Sequence, residues 1–218
     1  MNQPKPLPTH VLLHISKLLN VSLKSLAATI ALLDEGGTVP FIARYRKEAT
    51  FNLDEVQIRD IQEKLEYFRE LEERRETVLA SIEEQGKLTP ELKARIEAAL
   101  EKTELEDLYL PYKPKRRTKA SMARDKGLEP LAQYLWDQQP GPPLADFAAA
   151  FVSEEKGVAS TKEALEGARH IVAEWVSENA EFRKSVRAMM LAEGTVASRA
   201  IEGVPDPEGK YQMYAKYS

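Results

Sequence analysis

Apolar residues recur along most of this chain at intervals of three and four, the spacing that lines them up on one side of an α-helix. The first such run is HVLLHISKLLN. Ser22 suits the N-cap of a second, which continues through ALLDEGG, where Gly36 and Gly37 supply a left-handed stop. Thr38 opens the short stretch VPFIARYRKEA, with Pro40 tolerated because it falls in the first turn. The longest periodic run carries Ile58, Ile61, Leu65, Phe68, Leu79 and Ile82 and ends at Gly86; Asn52 and Glu55 have the capping-box spacing at its start. At about 1.5 Å per residue such a helix is roughly 50 Å long. Glu72 and Arg75 interrupt its apolar stripe. The stripe is therefore no sustained coiled-coil seam, and its middle is expected to be exposed or crossed by another element.

Helical punctuation continues downstream. Thr89 and Pro90 start ELKARIEAALEK, and Thr103 with Glu106 has capping-box spacing for ELEDLYL, which Pro111 stops. GLEPLAQYLWDQQ reads as a short helix, followed by QPGPP, the strongest breaker in the chain. Ser160 and Glu163 launch a helix through Leu165, Ala168, Val172 and Trp175. Asn179 caps the next, through Phe182, Val186 and Met189 to Gly194, so the two are expected to form a hairpin. The tail has a brief strand-like start, a turn at PDPEG and an aromatic-rich end that stops without a terminating signal, as though cut. The expected fold class is all-α, a multi-helix array around one long helix, without a fixed-period repeat.

Composition narrows the function classes. At 218 residues the chain can bury a continuous core, and its net charge of −4 argues against a surface that coats nucleic acid or anionic membrane wholesale. There is no cysteine, which excludes disulfides and thiolate metal sites and fits a cytoplasmic location. The start, MNQPKPLPTH, lacks the features of a secretory signal, and no apolar stretch is long enough to span a bilayer, so no membrane partner is expected. Neither GxxxxGK[ST] nor GxGxxG occurs. His10 and His14 are four apart, yet they lack the glutamate and third ligand of a metal site. Asp60, Glu63, Glu66 and Glu70 alternate with Lys64 and Arg69, the pattern of a solvated helix face rather than a catalytic pair. The reading is of no enzyme, no cofactor and no metal.

One local feature departs from this acidic background. Between residues 113 and 126 stand seven Lys or Arg side chains and a single acid, Asp125, a balance of 7 − 1 = +6. Pro111 and Pro114 disfavour helix there, so the side chains are expected to splay from a stiffened, extended segment able to follow a phosphate backbone. Arg116 and Arg117 suit bidentate phosphate contacts, Lys113, Lys115 and Lys119 act as point charges, and Tyr109 and Tyr112 offer rings for unpaired bases. The competing reading is structural. Residues 54–107 hold 17 acidic against 9 basic side chains, and the basic loop could fold against such a surface. In VPFIARYRKEA, Arg44 or Arg46 is expected to pair with Glu104, Glu106 or Asp107 and lock the first helices to the middle ones.

The strings VPFIARYRKEAT, NLDEVQIRDIQEKLEYFRELEERRETVLASIEEQGKLTPEL and ELEDLYLPYKPKRRTKASMARDKGLEPLA closely resemble the N-terminal region of the Tex family of bacterial transcription accessory proteins. The resemblance runs from about residue 10 to the end. One departure is Phe51, where the family usually has glycine, in the tight turn expected before the long helix. The resemblance implies an N-terminal fragment of a larger cytoplasmic protein that continues into an RNase H-like domain, helix-hairpin-helix elements and an OB-fold RNA-binding module. It also implies three parts: N-terminal helices of a platform over residues 1–54, the long helix and a helix-turn-helix-like module with the basic loop over 55–128, and C-terminal platform helices over 129–218. The implied role is non-catalytic support of sequence-independent RNA or DNA binding, with the remaining domains and the transcription machinery as further partners. The alternative is a protein-interaction scaffold that docks those partners without touching nucleic acid. ELKARIEAALEK is nearly balanced in charge and poor in base-reading side chains, which argues against sequence-specific readout.

Overall fold

The computed structural model describes residues 5–138, 140–204 and 209–217. It is all-α in character and divides into two compact units, Met1–Tyr112 and Lys113–Ser218. This division differs from the boundaries at 54/55 and 128/129 that the family resemblance implied. No single helix among the described residues is long and apolar enough to cross a membrane.

In the first unit, α1 (Thr9–Leu18), α2 (Leu23–Asp34) and α3 (Val39–Tyr45) pack on α4 (Glu55–Glu84), and so do α5 (Pro90–Ala98) and α6 (Lys102–Tyr109). A 3-10 turn, Leu110–Tyr112, ends the unit. Along α4 the buried stripe is Ile58, Ile61, Leu65, Phe68, Leu71, Val78 and Ile82, each side chain contributing about 1.5–3 kcal/mol by leaving water. Leu79, expected on that stripe, is only half-buried. His14 packs its ring edge-on against Phe68, with centroids 5.7 Å apart.

The start of α4 corrects the expected cap. Asp54 Oδ1 accepts from the Gln57 amide at 2.8 Å, and the Asp54 amide donates to Gln57 Oε1 at 3.1 Å. Asn52 cannot cap because it and Phe51 are both left-handed, with φ of 65° and 58°. An N-cap needs an extended backbone instead. The turn before α4 thus forms with phenylalanine in the conformation that glycine adopts most easily. The second expected capping box is absent too: α6 begins at Lys102, without a side-chain cap, and Glu106 serves elsewhere.

In the second unit α10 (Thr161–Glu178) is the central element, packed by α7 (Lys119–Asp125), α8 (Glu129–Asp137) and α9 (Leu144–Ala149). The core joins Ala120, Ala123, Leu128, Leu131, Ala148, Ala164, Ala168 and Ile171. Small residues let the helices approach closely. A Cβ at Gly167 would lie 2.3 Å from Leu128 Cδ1, so any side chain there would have to displace the buried Leu128. Helix α9 was not expected; its Phe147 stacks on Tyr134 at 4.3 Å. Of QPGPP, Gln139 lies outside the described residues.

Asn179 caps α11 (Ala180–Glu193), its Oδ1 accepting from the amides of Glu181 and Phe182 at 3.0 Å. No side chain of α11 is buried. Beyond it, β1 (Ser198–Arg199) pairs antiparallel with β2 (Lys216–Tyr217). The turn expected at PDPEG spans residues 205–209, of which 205–208 lie outside the described residues.

Candidate nucleic-acid interface

The basic stretch opens the second unit. Residues 114–118 carry no regular structure, and Thr118 then caps α7 through a reciprocal box with Ser121, at 2.9 and 3.0 Å. Its seven cations meet different fates. Lys115 Nζ reaches Glu178 Oε2 at 2.6 Å and Glu174 Oε1 at 3.5 Å. Arg124 Nη1 donates to Glu174 Oε1 at 2.6 Å, and Lys126 Nζ donates to the Gly157 carbonyl at 2.7 Å. Thr118 Oγ1 donates to the other Glu174 oxygen at 3.2 Å. One carboxylate on α10 therefore pins both the loop and α7.

Glu174 has only about 10% of its side chain exposed. Burial alone would raise its pKa, but the Arg124 hydrogen bond, the Lys115 and Arg124 charges and the Thr118 hydroxyl together hold it below the usual carboxylate range. Arg124 is shifted upward: burial opposes its charge as the largest single effect, and the hydrogen bonds and charges of Glu174 and Glu129 together outweigh that cost. Lys115, expected at the polyanion surface, is thus engaged inside the unit.

Lys113, Arg116, Arg117 and Lys119 remain. All four are exposed, and none has an acidic partner among the described residues. They present cationic donors to solvent on a short segment anchored by Lys115 and Thr118, an arrangement that suits phosphate oxygens. Tyr112 is half-buried at the end of the first unit, its carbonyl accepting from Gln85 Nε2 at 2.9 Å. Tyr109 is not available to bases: it is buried, and its hydroxyl lies 3.1 Å from Ser81 Oγ.

The ion pairs expected from α3 are replaced by others. Arg44 and Arg46 are exposed and form no ion pair among the described residues; Arg46 lies 5.9 Å from the centroid of the Phe41 ring. Glu106 is held instead by Arg74, through Nε at 2.6 Å and Nη2 at 3.1 Å. That bidentate bond raises the Arg74 pKa against the effect of burial. Asp107 is buried and Glu104 exposed. α3 packs on α2 and α4, whereas Arg74 projects from α4, on which α6 also packs.

Glu174, Glu178 and Arg75 escaped the sequence reading as partners. Glu174 and Glu178 are four apart and so share a face of α10, which is a signal for a paired acidic edge but not for its partner, some 60 residues away.

These features define a class: a predominantly α-helical module in two units, with a cationic edge, unpaired among the described residues, at the start of the second. Residues 9–83 match the Tex-like protein N-terminal domain, and residues 140–218 match the Tex central region-like family model. The chain belongs to the Tex family. It is 52% identical over 188 residues to Protein YhgF of Escherichia coli, covering 86% of this chain and 24% of that protein. It is 48% identical over 200 residues to the Transcriptional accessory protein Tex of Neisseria gonorrhoeae, covering 92% and 26%. A human protein named S1 RNA-binding domain-containing protein 1 is 30% identical over 162 residues, covering 74% and 16%. The chain spans about a quarter of the length of its bacterial relatives. The basic stretch lies between the two family-model matches.

Proposed function

We propose that this chain is a non-catalytic helical part of a cytoplasmic transcription accessory protein, and that it supports sequence-independent nucleic-acid binding through Lys113, Arg116, Arg117 and Lys119. The observation that carries this reading is that these four cations stand in solvent without acidic partners among the described residues, while their neighbours Lys115, Arg124 and Lys126 are engaged within the unit. The names of the relatives, one a transcriptional accessory protein and one an S1 RNA-binding domain protein, support it. Contacts of this kind grip phosphates and carry no base information.

Binding should weaken as salt rises, with a log–log slope of about −0.9 per duplex phosphate neutralised. Replacing all four residues by alanine should remove about 3.6 units of slope on duplex, measured by fluorescence anisotropy across ionic strengths. An unchanged slope overturns the assignment.

A second reading, docking of other domains or of the transcription machinery, is favoured by α11, where Phe182, Val186, Met189 and Met190 are exposed at helical spacing. Photocrosslinkers at Val186 and Met190 in the longer protein should then yield specific adducts, and solvent-only labelling counts against it.

A further inference from the structure

The unpaired Lys119 is also part of the wall of a cleft of about 270 Å³ between α7 and α10. Met122 and Leu128 give the cleft apolar walls, and Gly167, with no side chain of its own, keeps α10 close. Glu163 and Glu166 supply carboxylates. The Glu163 Oε2 atom accepts from the Ala159 amide at 2.9 Å, and the nearest basic group to Glu166 is His170, with Nε2 at 3.9 Å from Oε1. Glu166 therefore keeps acceptor capacity toward the cleft.

We propose that this cleft receives one unstacked, amino-bearing nucleobase of a strand whose phosphates lie along the cationic edge, so that the edge prefers single strands to duplex. The inference rests on the reading of the edge given above. A nucleobase has two apolar faces and a polar rim, and the cleft offers the complement. Met122 is a polarisable thioether able to pack against an aromatic ring. A carboxylate only accepts, so Glu166 favours the exocyclic amine of cytosine or adenine over the carbonyl of uracil. Lys119 at the cleft holds the adjoining phosphate. In duplex the base is paired and stacked, and extruding it costs a few kcal/mol. An unpaired strand presents it freely, as proteins that bind single strands exploit.

The test uses the 218-residue chain with labelled twelve-nucleotide oligo(rC), oligo(rU) and a duplex of equal length, at several salt concentrations. Oligo(rC) should bind about tenfold more tightly than duplex, in line with the stacking energy of one base. Met122→Trp fills the cleft from a partly exposed position, and should weaken oligo(rC) binding about tenfold while leaving duplex affinity and salt slope unchanged. Glu166→Gln, on an exposed face, should reduce the preference for oligo(rC) over oligo(rU), since an amide can also donate to uracil. Equal affinity for single strand and duplex, or no response to either substitution while salt-dependent binding persists, overturns the base cleft alone. Absence of any salt-dependent binding overturns the cationic edge and this inference together.

Discussion

Arg75 of the first unit and Arg116 of the second carry the same guanidinium into opposite surroundings. Arg75 is buried on α4, where it donates to the carbonyls of Ile96, of Glu97 at 2.6 Å and of Ala99 at 2.8 Å, and lies 3.2 Å from Glu72. It thereby satisfies the last carbonyls of α5, which have no partners inside their own helix. Arg116 sits in an unstructured segment, exposed and unpaired among the described residues. A cation set into an apolar helical stripe must find acceptors on whatever crosses that stripe, because an uncompensated buried charge is too costly. A cation in a proline-broken run obeys no such constraint, and its fate depends on which acids the fold brings near.

The largest effect should come from emptying the buried position. Arg75→Ala leaves three carbonyls without their donor and should cost about 3 kcal/mol. For a chain of this size that is roughly 6–12 °C in Tm, readable by circular dichroism. Amide exchange should quicken most in α4 and α5. A loss well under about 1 kcal/mol would mean that α5 is held by apolar packing alone, and the contrast with Arg116 would collapse.

Next in size is Glu174→Gln, which cuts the tie between α10, the loop and α7. At neutral pH the cost should be about 2 kcal/mol, typical of charge-assisted hydrogen bonds in a partly buried setting. Because the folded carboxyl is held below its ordinary value of about 4.5, its contribution is complete above that value and is lost as pH falls through the depressed folded value. Wild type should therefore lose more stability on acidification than the glutamine variant, and the two should converge. Both tryptophans, Trp136 and Trp175, belong to the second unit and meet edge to face at 5.8 Å, so their fluorescence reports on it directly. Parallel acid curves for the two proteins would exclude Glu174 as the pin.

A smaller change sharpens the account of the first unit. Phe51→Gly should stabilise by about 1 kcal/mol, since a left-handed phenylalanine is strained and its side chain is mostly exposed. A lower Tm would show that the exposed ring contributes more than the backbone strain costs.

How far each element could be read in advance follows the range of its determinants. Helix caps at Ser22, Thr89, Ser160 and Asn179 formed as their local sequence suggested, because a cap is decided within four residues. The cap at Asn52 failed because the preceding turn took both Phe51 and Asn52 left-handed, a choice set by chain direction rather than by spacing. Arg75 was legible as an interruption of the stripe but not as the partner of α5. The cationic edge was legible as charge, yet which cations remain free was not: Glu174 and Glu178 lie about 60 residues beyond Lys115, and nothing local names them. Tyr109 looked like a free ring for want of a signal that α6 buries it.

The smallest expected effect is also the most discriminating, since Lys115 and Arg116 are adjacent in sequence. Lys115→Ala removes a partly exposed ion pair with Glu178 and Glu174 and should cost about 0.5 kcal/mol, with the salt slope of nucleic-acid binding unchanged. Arg116→Ala should do the reverse, leaving stability alone and reducing the slope by about one unit. If both substitutions reduce the slope equally, Lys115 must exchange its glutamates for phosphate on binding. The loop would then be a single cationic surface held closed by α10, rather than an anchor and an edge. If neither does, the charge of this stretch serves the fold alone.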